Sequence, residues 1–219
     1  ADTPVLKTQV AVGEAGSTAR LNIGIFSGDA DSSESLSLDI SGIPDGSSLN
    51  LGKRLENGVW RVSENDIRDL KINLGADLSG RIDLPITAIA ADGTSRASLS
   101  GSLTVFAVPD GVTVPNISQI IGNKKPGFLH GTPGSDLIVS QADGDFVLGG
   151  RGDDLLLVDG KDLFNGGKGT DTVFVTDNSP VDWKLSKFGV ERFYGGSGND
   201  KIFGSKRQEI ISGGVGNDR

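Results

Sequence analysis

The sequence predicts an all-β protein of two unlike halves, a β-sandwich over residues 1–108 and a parallel β-roll over residues 128–219. Three observations carry that prediction. Short runs between Val5 and Val108 alternate apolar and polar residues, the period of a half-buried strand. Glycine is unevenly spread, with 12 of the 33 residues in 1–110 and 21 in 111–219. A nine-residue pattern recurs after residue 128.

In the first half, Leu21, Ile23 and Ile25 share one face, as do Leu36, Leu38 and Ile40. Ile82, Leu84, Ile86, Ala88 and Ala90 repeat the period, followed by Leu99, Leu103, Val105 and Ala107. Pro44-Asp45-Gly46, Asn57-Gly58 and Asp92-Gly93 read as turns, the last two at hairpin positions. Only Ser63–Leu70 reads as helix, about two turns with Ser63 as cap and Asp66 three residues on. Around seven short strands in about 105 residues predicts an immunoglobulin-like β-sandwich. The polar loop 27–38 places Asp29, Asp31 and Glu34 within six residues. That loop is either a solvated surface or an oxygen set that wraps a calcium ion, with Glu14 able to swing in from an earlier turn.

Residues 109–127 carry three prolines and read as a linker or capping segment. The sequon Asn116-Ile117-Ser118 is a three-residue match and is read as chance.

In the second half, GTPGSDLIV (131–139), GGRGDDLL (149–156), GGKGTDTVF (166–174), GGSGNDKIF (195–203) and GGVGNDR (213–219) share the plan Gly-Gly-x-Gly-x-Asp-x-apolar-x. Three glycines permit a tight turn that points carbonyl oxygens inward, the aspartate adds charged oxygen, and the apolar position anchors a short strand. Degenerate copies lie between them: SQADGDFVL (140–148), LVDGKDLFN (157–165) and GSKRQEIIS (204–212). These keep an acid at the sixth place, Asp145, Asp162 and Glu209, and lack the double glycine.

The plan resembles the calcium-binding nonapeptide of RTX proteins over about residues 128–219. The resemblance implies a β-roll whose successive nonapeptides turn on opposite edges. One coil then takes about eighteen residues, and Asp136, Asp154 and Asp171 form one row. Gly134, Gly150, Gly152, Gly167, Gly169, Gly196 and Gly198 would offer carbonyls, and the edge of Asp145 and Asp162 would bind weakly or not at all. Residues 175–194 interrupt the repeats for close to one coil, with Trp183, Leu185 and Phe193 as packing. The row is then expected to resume at Asp200 and Asp218. A chain that stops midway through a repeat is expected to be a fragment of a longer protein.

ISGIPDGSSLNLG and the stretch NGVWRVSENDIRDLKINLGADLSGRIDLPITAIAADG are similar to immunoglobulin-like and cadherin-like modules of large bacterial adhesins exported by type I secretion. That likeness implies calcium at Asp29, Asp31 and Glu34, stiffening the joint with neighbouring domains of the same longer chain. Together the two resemblances imply a calcium-dependent structural module of a secreted or surface-attached adhesin. The alternative is a non-catalytic RTX tail of a secreted toxin or extracellular enzyme.

Other function classes lack material. A net charge of -8 disfavours nucleic acid or an anionic membrane as primary partner. No apolar run reaches the roughly 18 residues of a membrane span. Without cysteine there is no disulfide and no thiolate metal site. Arg151-Gly152-Asp153 falls at places three to five of a nonapeptide, which accounts for Gly152 better than an attachment signal does. The glycines lack the Gly-Lys-Ser/Thr of a phosphate loop. His130 is the single histidine, so a catalytic triad or zinc site has no partners, and the chain reads as non-enzymatic. Trp60 would be the platform of a glycan-binding sandwich, although a strand tryptophan is more often core.

Overall fold

A computed structural model describes residues 1–28, 34–115 and 118–219. Asp29 and Asp31, and Asn116 and Ile117 of the sequon, lie outside the described residues. The chain divides into two compact units, Ala1–Asp110 and Gly111–Arg219.

The first unit is β throughout, apart from one helical turn. In chain order its strands are β1 (Val5–Thr8), β2 (Ala11–Glu14), β3 (Thr18–Arg20), β4 (Ile23–Phe26), β5 (Ser35–Ile40) and β6 (Ser48–Leu49). There follow β7 (Lys53–Arg54), β8 (Trp60–Ser63), the helical turn α1 (Glu64–Ile67), β9 (Lys71–Asn73), β10 (Gly80–Asp92) and β11 (Ser95–Val108). A six-stranded sheet runs β2-β11-β10-β5-β8-β7, a three-stranded sheet β3-β9-β6, and β1 pairs with β4. Pairing is antiparallel except for β2 beside β11, which is parallel.

The predicted apolar faces form the core: Leu36, Leu38 and Ile40 from β5, Leu84, Ile86, Ala88 and Ala90 from β10, and Ala19, Ile72 and Leu49 from the smaller sheet. Leu99 departs from its predicted face and is exposed, on the first half of β11, which β2 pairs only from Val105 onward. The predicted two-turn helix shortens to the single turn α1. Ser63 Oγ does not cap its backbone and instead donates to Asp66 Oδ2 at 2.7 Å. Trp60 is half-buried against the core and sits opposite Ile40.

The second unit is a parallel β-solenoid of about five turns. Its strands are β12 (Ser118–Ile121), β13 (Phe128–His130), β14 (Asp136–Val139), β15 (Phe146–Arg151), β16 (Leu155–Val158) and β17 (Leu163–Lys168). Then come β18 (Thr172–Val175), β19 (Asp182–Lys184), β20 (Arg192–Tyr194), β21 (Lys201–Phe203) and β22 (Ile210–Ser212). The even-numbered strands from β12 to β22 build one six-stranded parallel sheet. Facing it are β13-β15-β17 and, further along, β19-β21. Coiling therefore starts at Ser118, ten residues before the repeats.

Between the faces lie Ile138, Leu156, Val173 and Phe193 from the long sheet, with Val147 and Phe164 from the other. Trp183 packs edge-on against Phe164 at 4.8 Å and Phe193 at 5.7 Å, and Leu185 is buried beside them. The non-repeat coil thus continues the stack through the aromatic residues that its sequence pointed to.

Candidate metal centre

Loops of the solenoid fall on two edges. Loops entering the long sheet form the inbound edge, and loops leaving it form the outbound edge. The sixth residues of the first three clear repeats, Asp136, Asp154 and Asp171, stand on the inbound edge, at the starts of β14, β16 and β18. Asp145 and Asp162 stand on the outbound edge, before β15 and β17.

Asp200 and Asp218 are not where the spacing placed them. Loop 195–200 leaves β20 for β21, and loop 213–218 follows β22, so both lie on the outbound edge. The inbound edge carries Glu191 and Glu209 at those coils. The sequence held the signal: Asp171 and Asp200 are 29 residues apart, close to three nonapeptides, and an odd number of nonapeptides changes edge.

The aspartates are locked in by a ladder between coils. Asp136 N–H donates to Asp154 Oδ1 at 2.8 Å, and Asp154 N–H donates to Asp171 Oδ1 at 3.0 Å. On the outbound edge Gly127 N–H donates to Asp145 Oδ1, Asp145 N–H to Asp162 Oδ1, and Asp200 N–H to Asp218 Oδ1, at 2.7–2.9 Å. Each oxygen so used fixes the carboxylate plane and leaves Oδ2 free to point elsewhere.

Among the described residues, four buried side-chain oxygens accept no hydrogen bond: Oδ2 of Asp145, Asp154, Asp171 and Asp200. Every one belongs to the sixth place of a nonapeptide. A buried carboxylate oxygen without a donor is costly, and a bound cation would satisfy it. At Gly149 the Oδ2 of Asp154 and the carbonyl of Gly166 both come within 3.0 Å of where a Cβ would stand. The same cradle forms at Gly195 from Asp200 Oδ2 and the Gly213 carbonyl. Carbonyls of Gly134, Gly150, Gly152, Gly196 and Gly198 crowd the matching glycine of the next coil, so a side chain is excluded at each. Gly167 (φ 108°) and Gly169 (φ 139°) also hold left-handed backbone that an L side chain resists.

Hard oxygens, one carboxylate at a time among stacked carbonyls, are the donor set that suits calcium. Among the described residues no three carboxylate or imidazole side chains gather in one cluster, because backbone supplies the remaining donors. Burial pushes the carboxyls of Asp154 and Asp171 up to about 6 and about 7, with neighbouring acids adding to the effect. An ion at the orphaned oxygens would reverse that penalty.

Not all sixth places are alike. Asp136 Oδ2 accepts from Thr132 N–H at 2.6 Å, so it closes on its own loop at the start of the row. Asp162 Oδ2 accepts from Ser140 Oγ at 2.5 Å and Asp159 N–H at 3.0 Å. Two residues absent from the sequence reading emerge here: Asp159, pushed up to about 6 by burial, and Ser140. The side chain of Glu34, of the first-half loop, is covered and accepts from Ser27 Oγ at 2.7 Å and from Asp2 N–H.

A family model for the RTX calcium-binding nonapeptide repeat matches residues 127–156, 159–175 and 188–219, in four copies. The second unit carries RTX calcium-binding nonapeptide repeats. Its cofactor is calcium, and its repeats mark a calcium-binding structural module of the kind typical of extracellular secreted proteins. Neither the curated proteins nor the solved structures compared with it give a match. Among the described residues no helix is long and apolar enough to cross a membrane.

Proposed function

We propose that this chain is a non-catalytic, calcium-dependent structural module of a secreted or surface-attached bacterial adhesin, in which an immunoglobulin-like sandwich precedes the calcium-held roll in sequence. The observation that carries the reading is the ladder in which Oδ1 of Asp145, Asp154, Asp162, Asp171, Asp200 and Asp218 accepts a backbone N–H, while four Oδ2 atoms are buried without a donor. Stacked carboxylates repel in the bare roll, and the glycine loops lose much chain entropy on folding. Calcium at the orphaned oxygens converts binding free energy into folding free energy. Export of an unfolded chain, followed by folding in extracellular calcium, fits that coupling.

The non-catalytic part rests on how the acids are used, since the repeat carboxylates are committed to backbone ladders. His130 is exposed and stacks on Phe128 at 6.2 Å. For the adhesin part, the support is the separate all-β unit ahead of the roll, with β2 and β11 closing the first sheet.

Limited proteolysis of the full chain in calcium and in chelator tests the calcium dependence. The reading expects residues 118–219 to resist in calcium and to be digested in chelator, and equal resistance would defeat it. Cell fractionation with an antibody to residues 1–110 tests the adhesin reading. It expects the parent chain outside the cell, at the outer surface or in the medium, and recovery only from the cytoplasm would contradict it.

A further inference from the structure

We infer that the coil without nonapeptides, residues 176–194, supplies half of a calcium site on each edge: the Gly189 carbonyl opposite Asp171 on the inbound edge, and the Asp177 and Ser179 carbonyls beside Asp200 on the outbound edge. The inference rests on the calcium reading of the repeats. It adds ligands from a stretch that the repeat plan skips.

On the inbound edge the backbone copies a repeat that the sequence does not contain. Gly166 N–H donates to Phe188 O at 2.8 Å, as Gly131 N–H does to Leu148 O at 2.7 Å and Gly195 N–H to Ser212 O at 2.9 Å. Phe188 therefore takes the place just before a repeat, and Gly189 the place of its first glycine. The Gly189 carbonyl and Asp171 Oδ2 both crowd the Cβ position of Gly166, as the Gly166 carbonyl and Asp154 Oδ2 do at Gly149. From Gly189 the chain reaches its acid in two residues rather than five, and Glu191 spans the shortfall with its longer side chain. Glu191 Oε2 accepts Asp171 N–H at 3.0 Å, completing the ladder. Asp171 is fully buried and its Oδ2 has no donor, so the half-site already holds an oxygen that lacks a partner.

On the outbound edge the loop 176–181 plays the same part without glycine. Carbonyls of Val175 and Asp177 stand 2.8 and 3.0 Å from the Cβ position of Gly196, and the Ser179 carbonyl stands 2.8 Å from that of Gly198. One coil later the carbonyls of Gly196 and Gly198 hold those places against Gly214 and Gly216. Val181 N–H donates to Asp200 Oδ1 at 3.0 Å, matching Asp200 N–H to Asp218 Oδ1 at 2.9 Å. The sixth place here is valine, so this half offers backbone oxygen only. The Asp177 side chain turns away, accepting from Gly160 N–H at 3.0 Å and from Ser179 Oγ. Asp200 Oδ2 is again buried without a donor, an oxygen that an ion would satisfy.

The coil therefore ends one row of ions and begins another on the opposite edge. Its order depends on both. Crystals of the full chain grown in calcium, with anomalous scattering to locate the ions, test this directly. We expect one ion at about 2.3–2.6 Å from both Asp171 Oδ2 and the Gly189 carbonyl, and another shared by Asp200 with Asp177 or Ser179. Ions at other repeats with none touching residues 176–194 would overturn the inference and leave the calcium module standing. No calcium anywhere in the chain would overturn both.

Solution measurements separate the two halves. Asp171→Asn keeps an acceptor for Asp154 N–H, and we expect it to lose one ion and to speed amide exchange of residues 185–191 at least tenfold. Asp200→Asn is expected to do the same for residues 176–181. Loss of the ions with unchanged exchange in the coil would contradict the proposed coupling.

Discussion

Burial pushes the carboxyls of Asp154 and Asp171 up to about 6 and about 7 by removing water from their oxygens, and neighbouring acids add to the effect. A carboxyl raised on folding contributes fully below its unfolded value near 4, and that contribution is lost as pH rises through 6 and 7. Calcium favours the ionised form and removes that cost. Asp171→Asn is expected to weaken calcium binding by about tenfold or more in titration calorimetry, since affinity follows the number of charged ligands.

At the scale of elements, the nonapeptide loop is a backbone device. Gly167 has φ 108° and would drive a Cβ into the Gly150 carbonyl, whereas Gly58 has φ 81° with nothing within 4 Å. Gly58→Ala is expected to cost about 1–2 kcal/mol, the left-handed penalty alone. Gly167→Ala is expected to cost roughly 1–3 kcal/mol more, from the collision, by chemical denaturation in calcium. Equal costs would show that the carbonyl stack yields. The loops were legible because three glycines and an acid leave few other solutions. Residues 175–194 do make one coil, and the change of edge was missed because Asp200 lies half a coil beyond it, an odd number of nonapeptides from Asp171. Glu191 escaped because its loop is three residues shorter than a repeat, and its function shows only through the bond from Asp171 N–H. In the first half, period two found Leu38 and Ile86 but could not tell that β2 pairs only the end of β11 and leaves Leu99 exposed.

Across the whole molecule, two units carry two different cores. The first is a hydrophobic interior around Leu38, Ile72 and Leu103, all fully buried, and Leu38→Ala is expected to cost about 2–5 kcal/mol with or without calcium. The second adds a row of charge to its apolar stack, so its stability follows the ion. Chelation is expected to unfold the second unit while leaving the first intact. Hydrogen exchange of the full chain in millimolar calcium and in chelator tests the central claim most directly. Protection at the amides of Asp136, Asp154, Asp145 and Asp200 that collapses in chelator, while Leu38 and Ile86 stay protected, is the predicted result. Protection of those aspartate amides that survives the chelator would contradict it.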